Sequence, residues 1–226
     1  MMEFNSLIDA LPALLEGLQV TLKLMVMAVM GGIVIGTMLA LFRLSNNRIL
    51  SLSASVYVGY FRSIPLLLVI SWFYFLVPMI IEWMTGKPEP VGPFISSLVA
   101  FTMFEAAYYC EILRAGIQSI PKGQVSAAYA LGMNYRQTMR LVILPQAFRK
   151  MAPLLLQQSI ILFQDTALVY AVGLMDFLNT ARSRGDITGE LPLFLLSAGA
   201  VYFVISFTAS RVVMHLQKKL AIAQAH

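Results

Sequence analysis

The sequence is poor in charged residues. Of its 226 residues, 12% are charged and 59% are hydrophobic, and the mean hydropathy is +0.78. This is more apolar material than the core of one soluble domain of this length would bury. The composition therefore excludes an ordinary soluble domain and predicts an integral membrane protein.

Residues that carry catalytic or metal chemistry are also scarce. The single cysteine, Cys110, excludes an internal disulfide and a Cys-x-x-Cys site. The two histidines, His215 and His226, do not form a paired metal site, and Gly-x-Ser-x-Gly and His-Glu-x-x-His are missing. No Gly-x-x-x-x-Gly-Lys-Ser/Thr phosphate loop occurs. The chain is thus not expected to be an enzyme, to hold a cofactor or metal, or to bind ATP by that device.

The net charge of +5, from 16 Lys and Arg against 11 Asp and Glu, comes without a basic run interleaved with aromatic residues. Such a run is typical of nucleic-acid binding, so no nucleic-acid partner is expected. The distribution of the charges between loops is more informative than their sum.

Five apolar segments are long enough to cross a membrane, which takes about 20 helical residues. They cover residues 18–42, 56–77, 94–112, 153–174 and 191–214. The start, Met1 to Ser6, lacks the basic residues of a secretory signal, and no small-residue cleavage site follows, so the first segment is expected to be retained. We therefore predict an all-α membrane protein with a single transmembrane domain over residues 1–226.

Two features mark the first two spans. Gly32 and Gly36 have the small-xxx-small spacing that lets helices approach closely. Arg62 and Pro65 interrupt the start of the second span.

Basic residues are concentrated in the loops on one side of the five spans. With the N-terminus outside, that inner side holds Arg43, Arg48, Arg114, Lys122, Arg136, Arg140, Arg149, Lys150, Arg211, Lys218 and Lys219. The outer side holds Lys87, Arg182 and Arg184 among Glu3, Asp9, Glu16, Glu82, Glu89, Asp176, Asp186 and Glu190. Because cytoplasmic loops carry the excess of Lys and Arg, the N-terminus is predicted to be periplasmic and the C-terminus cytoplasmic. The outer loops, 79–93 and 176–189, carry turn residues and are too short to fold alone.

A loop on the cytoplasmic side, residues 121–146, favours helix although it lies between apolar spans. Ala127 and Ala128 are good helix formers, Gly132 permits a bend, and Pro145 restricts Leu144 and discourages further helix. A short helix, a turn and a second short helix parallel to the membrane are predicted. An ordinary cytosolic connector is the alternative.

This loop resembles the Glu-Ala-Ala coupling motif of permease subunits of ATP-binding-cassette importers. Ala127 and Ala128 match the paired alanines, Gly132 the glycine, and Leu144-Pro145 the end of the motif. Ser126 replaces the opening glutamate and Val142 a closing isoleucine. A salt bridge from that glutamate to the ATPase is therefore not implied here, whereas the helical shape and the bend are.

The resemblance covers nearly the whole chain and is most specific in a few short segments. These are similar to the polar amino acid branch of the family, and above all to glutamate/aspartate permeases. They are residues 61–67, 104–109, 111–117, 121–124, 144–149 and 162–168.

Membership would imply a bacterial inner-membrane subunit without ATPase activity of its own. Its partners would be a periplasmic solute-binding protein, a second permease subunit, and ATPase subunits that bind ATP and Mg²⁺; its substrate would be an acidic amino acid. The residues predicted to couple to the ATPase are Ser126, Ala127, Ala128, Gly132, Met133, Arg136, Arg140, Leu144 and Pro145. For Arg136 and Arg140, one turn apart, pairing with acidic partner residues and a solvated basic face are both open.

Three charged residues lie within predicted spans, where charge is costly and usually faces the bundle interior. At 1.5 Å per residue, Glu105 and Asp165 fall near the midplane, and Arg62 approaches them from the cytoplasmic side. Arg62 either pairs with one of these carboxylates or, like Lys23, meets the carboxylate of an anionic substrate. Thr166, with Asp165, is a candidate for satisfying backbone groups at a helix break.

Two further expectations complete the reading. Glu111 and Arg114, three residues apart, are expected to pair at the cytoplasmic end of their helix. The rival function is an ion-coupled secondary amino acid transporter with Glu105 and Asp165 as the relay. The lack of inverted repeats argues against that rival.

Overall fold

The structure, a computed structural model, describes residues 4–87 and 90–224, with side chains as far as residue 218. Glu3, Glu89, His226 and the side chain of Lys219 lie outside this description. Within it, all regular structure is helical. The α-helices are α1 Phe4–Arg43, α2 Arg48–Ser63, α3 Leu66–Ser71, α4 Val77–Thr85, α5 Pro93–Gln118, α6 Lys122–Ala130, α7 Tyr135–Gln137, α8 Leu144–Asp165, α9 Phe177–Thr188 and α10 Leu191–Gln224. Two π-helical segments, Trp72–Leu76 and Thr138–Ile143, and a 3-10 helix, Thr166–Val172, connect some of them.

Four helical stretches of the described chain are long and apolar enough to cross a membrane. They are Asn5–Arg43, Leu66–Thr85, Tyr135–Val172 and Leu191–Lys218. The third predicted span, 94–112, corresponds to α5, which has 26 residues and is not among these four. Helix α5 is instead the centre of the fold, packed against α1, α2, α3 and α8.

Helices α1 and α5 run side by side in the same direction with almost no space between them. A Cβ atom added at Gly36 would lie 2.9 Å from the carbonyl oxygen of Ala106 and 3.0 Å from the amide nitrogen of Cys110. At Gly32 it would lie 3.0 Å from the Cβ of Glu105. The close approach predicted from the glycine spacing is confirmed.

The second predicted span, 56–77, is wrong as a single helix. Helix α2, capped by Asn47, ends at Ser63, and Ile64 is extended with φ −114° and ψ 141° before α3 starts at Leu66. The cause is Pro65, whose ring disfavours helical geometry at the preceding residue. Arg62 therefore lies at the end of α2, and the membrane-crossing helix starts after it.

The segment 176–189, predicted to be a short loop with turn residues, contains helix α9. The Asp176 carboxylate accepts hydrogen bonds from the backbone N–H groups of Asn179 and Leu178, and Gly189 ends α9 at φ +73°. An acidic cap and a glycine one helix-length later are the ordinary boundaries of a helix. The N–H of Phe177 donates to the Thr21 hydroxyl at 3.0 Å and so ties α9 to α1.

Pro145 does not stop the helix at the end of the 121–146 loop, contrary to the prediction. It stands at the start of α8, and Leu144 before it is helical with φ −60° and ψ −45°. Proline is tolerated in the first turn of a helix, where its missing N–H costs little. The π-helical segment Thr138–Ile143 leads directly into α8, so the second half of the loop belongs to a long helix.

Candidate functional site

Gly132 makes the turn that ends the first helix of the loop. Its φ is +79°, and its N–H donates to the carbonyl of Tyr129 at 3.0 Å. The N–H of Met133 donates to the carbonyl of Ala128 at 3.1 Å. This pair of bonds is the Schellman arrangement, which requires a left-handed residue at this position. The bend predicted at Gly132 is confirmed.

The turn is followed by a second, reinforcing cap. The N–H of Gln137 donates to Asn134 Oδ1 at 3.0 Å, and the N–H of Asn134 donates to Gln137 Oε1 at 2.9 Å. This reciprocal pair fixes the start of α7. Helix α6, the Gly132 turn and α7 therefore form a locally determined unit.

Helix α6 has one face on the protein and one face in the open. Ala128 is buried at 3% exposure, and Val125 packs with Ile117 and Ile143. Ala128 thus supports α6 from below, and its assignment to the partner-docking surface was wrong. Two side chains that the sequence reading missed, Tyr129 and Leu131, are open at 48% and 81% exposure.

The exposed face of α6, which we call the coupling face, consists of Ser126, Ala127, Tyr129 and Leu131. The helical period does not identify it: Tyr129 follows Val125 by four residues and Leu131 follows Ala128 by three, so the period alone would place both on the buried face. Only the packing of α6 in the structure shows that these two large apolar side chains are exposed.

A groove of about 810 Å³ opens beside the loop, between the end of α1 and the segment that follows Gly132. We call it the basic groove. Its lining consists of Leu41, Phe42, Leu44, Ser45, Asn46, Leu50, Tyr135, Arg136, Met139, Arg140 and Leu144. Arg136 and Arg140 supply two positive charges to it, and no Asp or Glu lines it.

A cluster of four charged side chains joins α1, α2 and α5. Arg114 donates to Glu111 Oε2 from Nη2 at 2.8 Å and from Nε at 3.1 Å, which confirms the predicted pair. Arg43 donates to Glu111 Oε1, and Arg62 Nη1 lies 3.9 Å from the same oxygen. One carboxylate therefore faces three guanidinium groups, and the cluster has an excess of positive charge.

Arg62 does not pair with Glu105 or Asp165, so that prediction was wrong. Its guanidinium lies over the ring of Tyr108 at 5.4 Å, and its side chain remains 46% exposed. The ring face and Glu111 hold it near the C-terminal end of α5, away from Glu105. Lys23, the other candidate cation, lies over the ring of Phe94 at 5.4 Å.

Glu105 is fully buried and belongs to the packing between α5 and α8. Gln158 Nε2 donates to its Oε1 at 3.2 Å, whereas Oε2 has no hydrogen-bond partner among the described residues. One turn on, the hydroxyls of Tyr109 and Ser159 are 2.9 Å apart. These two links join the helices through polar atoms in the middle of the fold.

Asp165 is the last residue of α8 and is half-buried. The neighbouring Thr166 hydroxyl donates to the carbonyl of Phe163 at 2.6 Å, so Thr166 satisfies the backbone where α8 tightens into the 3-10 helix. That expectation is confirmed for Thr166.

A cavity of about 590 Å³ lies between the end of α8 and α10. Its lining is mostly apolar, with Gln164 and Ser210 among the polar residues, and none of its lining residues is charged. The hydroxyl of Ser206 is buried and has no partner among the described residues. Sequence reading missed this cavity because its residues come from distant segments and match no spaced motif. Among the described residues, no three His, Cys, Asp or Glu side chains come together as metal ligands would.

Residues 32–222 match the family described as the binding-protein-dependent transport system inner membrane component. The chain belongs to this family. It is therefore a multi-pass inner-membrane subunit of a binding-protein-dependent transporter. The match includes the coupling face, the basic groove, the Glu111 cluster and the cavity.

Curated relatives and solved structures agree with this placement. The chain is 53% identical to the glutamate/aspartate import permease protein GltK of Escherichia coli O157:H7, over 97% of this chain and 98% of the relative. It is 33% identical to the arginine transport system permease protein ArtQ of Bacillus subtilis, over 97% of both chains.

A crystal structure of an amino acid ABC transporter with histidines superposes with a TM-score of 0.84 at 30% identity, covering 97% of this chain and 99% of the other. An inward-facing MetNI methionine ABC transporter superposes with a TM-score of 0.70 at 22% identity, covering 96% of this chain and 99% of the other. The second likeness concerns the fold alone.

Proposed function

We propose that this chain is a permease subunit of an ATP-binding-cassette importer for acidic amino acids, glutamate and aspartate in the first place. The observation that carries the proposal is the 53% identity with a glutamate/aspartate import permease over nearly the full length of both chains. A loop built to present an exposed apolar surface, in a family of inner-membrane transport components, supports it.

The coupling face is the surface that meets the ATPase. An ATPase can move the permease only if its contact with the loop differs between its two states. The coupling face offers Tyr129 and Leu131 as apolar contacts, with Ser126 and Ala127 beside them, while the Schellman turn at Gly132 and Met133 holds their direction. Leu144 and Pro145 continue the loop into α8, which leads toward the middle of the fold. Pairing of Arg136 and Arg140 with acidic ATPase residues stays a prediction.

The charge distribution supports an anionic substrate. The Glu111 cluster has three guanidinium groups for one carboxylate and so carries an excess of positive charge. An excess of positive charge attracts an anion. Glu105, which would repel that anion, is buried between α5 and α8.

The proposed assembly has five spans in this chain, with α5 as the central one, a periplasmic N-terminus and a cytoplasmic C-terminus. Its partners are ATPase subunits that bind ATP and Mg²⁺, a second, related permease subunit, and a periplasmic binding protein that delivers the amino acid. Hydrolysis takes place in the ATPase subunits. Neither the geometry nor the relatives favour the ion-coupled alternative.

The test uses two glycines with the same strain on opposite sides of the membrane. Gly132 and Gly86 have φ of +79° and +70°, and both have open space around them. A β-branched residue at positive φ is strongly disfavoured, so valine at either position forces its turn to rearrange. Gly132→Val should lower ATP-driven uptake of labelled glutamate in proteoliposomes by at least about tenfold, since about 1–2 kcal/mol of strain falls on the coupling turn. Gly86→Val should leave uptake near wild type.

Two readouts separate the parts of the proposal. Uptake by Gly132→Val equal to that of Gly86→Val would refute the coupling role of the turn. Wild-type protein that takes up labelled arginine but neither glutamate nor aspartate would refute the substrate. Co-purification of the ATPase with both variants would show that loss of uptake is not loss of assembly.

A further inference from the structure

The basic groove brings two unneutralised guanidinium groups to one wall. Arg136 and Arg140 are four residues apart and both are exposed. Neither makes an ion pair with any side chain that the structure describes, in contrast to Arg43 and Arg114 nearby. Two guanidinium groups a helical turn apart present a dense set of N–H donors, which matches the oxygens of a phosphate group.

The opposite wall of the groove is apolar and continues into the face of α1 that lies toward the membrane. Val34, Met38 and Phe42 are spaced four residues apart and are exposed at 62%, 51% and 36%. They form a stripe along α1 that ends inside the groove, since Phe42 is one of its lining residues. From the other side, Leu50 of α2 enters the groove at 37% exposure.

The groove lies at the C-terminal end of the long apolar helix α1. Its residues follow directly on the last apolar turn of α1, which ends at Arg43, and the polar side chains of Ser45 and Asn46 line it there. A cationic pocket at the end of an exposed apolar stripe, on the cytoplasmic side of a membrane protein, has the composition of an anionic-lipid site.

We propose that the basic groove binds an anionic phospholipid of the inner leaflet. Arg136 and Arg140 hold the phosphate, and one acyl chain runs along the Val34–Met38–Phe42 stripe. The orientation of the groove toward the cytoplasmic leaflet rests on the proposed function. The bound lipid joins the end of α1 to the segment that follows the Gly132 turn, so it stabilises one position of the coupling loop.

The charge of the groove fits an anionic lipid and an acidic segment of the ATPase alike, and the apolar stripe favours the lipid. An ATPase segment would match the two arginines but would leave the apolar stripe, which runs up α1 into the membrane, without a role. A phospholipid matches both at once, because its charge and its chains are joined at the spacing of a membrane boundary. The ATPase is therefore the rival occupant that the experiment must distinguish.

The experiment measures lipid retention on the purified transporter with its co-purifying subunits. The protein is reconstituted in nanodiscs of phosphatidylcholine with increasing phosphatidylglycerol, and bound lipid is counted by native mass spectrometry. The double variant Arg136→Gln/Arg140→Gln should bind phosphatidylglycerol about 30-fold more weakly, given the contribution of each basic residue near an anionic surface. The variant Arg149→Gln is the matched control: Arg149 is exposed on α8, outside the groove, and its substitution should leave affinity unchanged.

A second variant tests the apolar half of the site. Phe42→Ser removes the end of the stripe without changing charge, and it should weaken phosphatidylglycerol and phosphatidylcholine retention alike. Phosphatidylglycerol affinity that is the same in the double variant as in Arg149→Gln would overturn the proposal. So would a double variant that loses the ATPase but keeps its lipid, since the groove would then be an ATPase contact. Lipid retention is read without transport, so failure of the importer assignment would appear separately, as absent uptake by wild-type protein that still binds lipid.

Discussion

The α1–α5 interface and the loop at 121–146 both depend on glycine, for two different physical reasons. Gly36 lies in a regular helix, where the missing side chain lets the backbone of α5 approach so closely that an added Cβ would lie 2.9 Å from the carbonyl oxygen of Ala106. Gly132 has open space around it and is required for its dihedral angle, φ +79°. Gly36 is needed because a side chain would not fit, and Gly132 is needed because its positive φ turns the chain at the end of α6.

This difference separates the packed α1–α5 interface, where substitution disrupts the fold, from the exposed turn at Gly132, where substitution changes only the local conformation. The interface around Gly36 is buried and continuous with the core, so a change there affects the whole fold. The turn at Gly132 is exposed and held by local hydrogen bonds, so a change there affects only where α6 points. Glycine is thus required both in the closely packed α1–α5 interface and in the exposed turn that sets the orientation of α6.

The largest loss of stability is expected when a side chain is placed at Gly36. Gly36→Leu places a side chain against backbone atoms of Ala106 and Cys110 that cannot move aside without shifting α5. We expect α1 and α5 to separate and no folded protein to be recovered, as judged by fluorescence-detected size-exclusion chromatography of detergent extracts.

The matched control for that substitution is Gly59→Leu. Gly59 is also helical, but it is exposed on α2 with no atom within 4 Å of an added Cβ. This variant should fold and gain up to about 1 kcal/mol, because leucine is the better helix former. Equal recovery of Gly36→Leu and Gly59→Leu would show that the close approach of α1 and α5 is not needed.

The next largest loss of stability is expected on substitution of Glu111, whose carboxylate links α1, α2 and α5. Glu111→Gln leaves Arg43 and Arg114 without a charged partner, and we expect a loss of about 2 kcal/mol. Arg62→Gln should cost less than about 1 kcal/mol, since Arg62 is half-exposed and 3.9 Å from the carboxylate. Thermal unfolding of the two detergent-purified variants measures the difference. A larger loss of stability for Arg62→Gln than for Glu111→Gln would show that Arg62, and not Glu111, contributes most to the stability of the cluster.

Sequence patterns predicted the features that depend on neighbours a few residues apart. The glycine spacing on α1, the bend at Gly132, the Glu111–Arg114 pair and the role of Thr166 are all local, and each was confirmed. Four of the five apolar segments overlap the helices that can cross a membrane, although the second, 56–77, wrongly joined α2 to α3, and the third, 94–112, stays a prediction as a span.

The predictions that failed depend on which face of a helix meets the rest of the fold. Ala128 was taken for a partner contact because it matches a motif, but packing of α6 on Ile117 and Ile143 buries it. Arg62 was placed beside Glu105 by its depth along the chain, whereas the break at Ile64 moves it to Glu111. Pairings across helices follow from tertiary packing, which a single sequence does not contain.

A pH-dependent effect is expected at a buried group that is neither packed like Gly36 nor open like Gly132. Burial raises the pKa of Asp176, between the last candidate spans, from its ordinary 3.8 to about 6, and the N–H groups of Asn179 and Leu178 offset this only in part. Because the folded state then binds the proton more tightly than the unfolded chain, stability should fall as pH rises from about 4 to about 6 and stay level above.

Asp176→Asn keeps a capping oxygen without the charge, so its melting temperature should rise relative to wild type across that window. Asp186→Asn, on the exposed face of α9, controls for the loss of one negative charge. Parallel curves for wild type and Asp176→Asn would mean that the carboxylate is no less stable in the folded protein than in water.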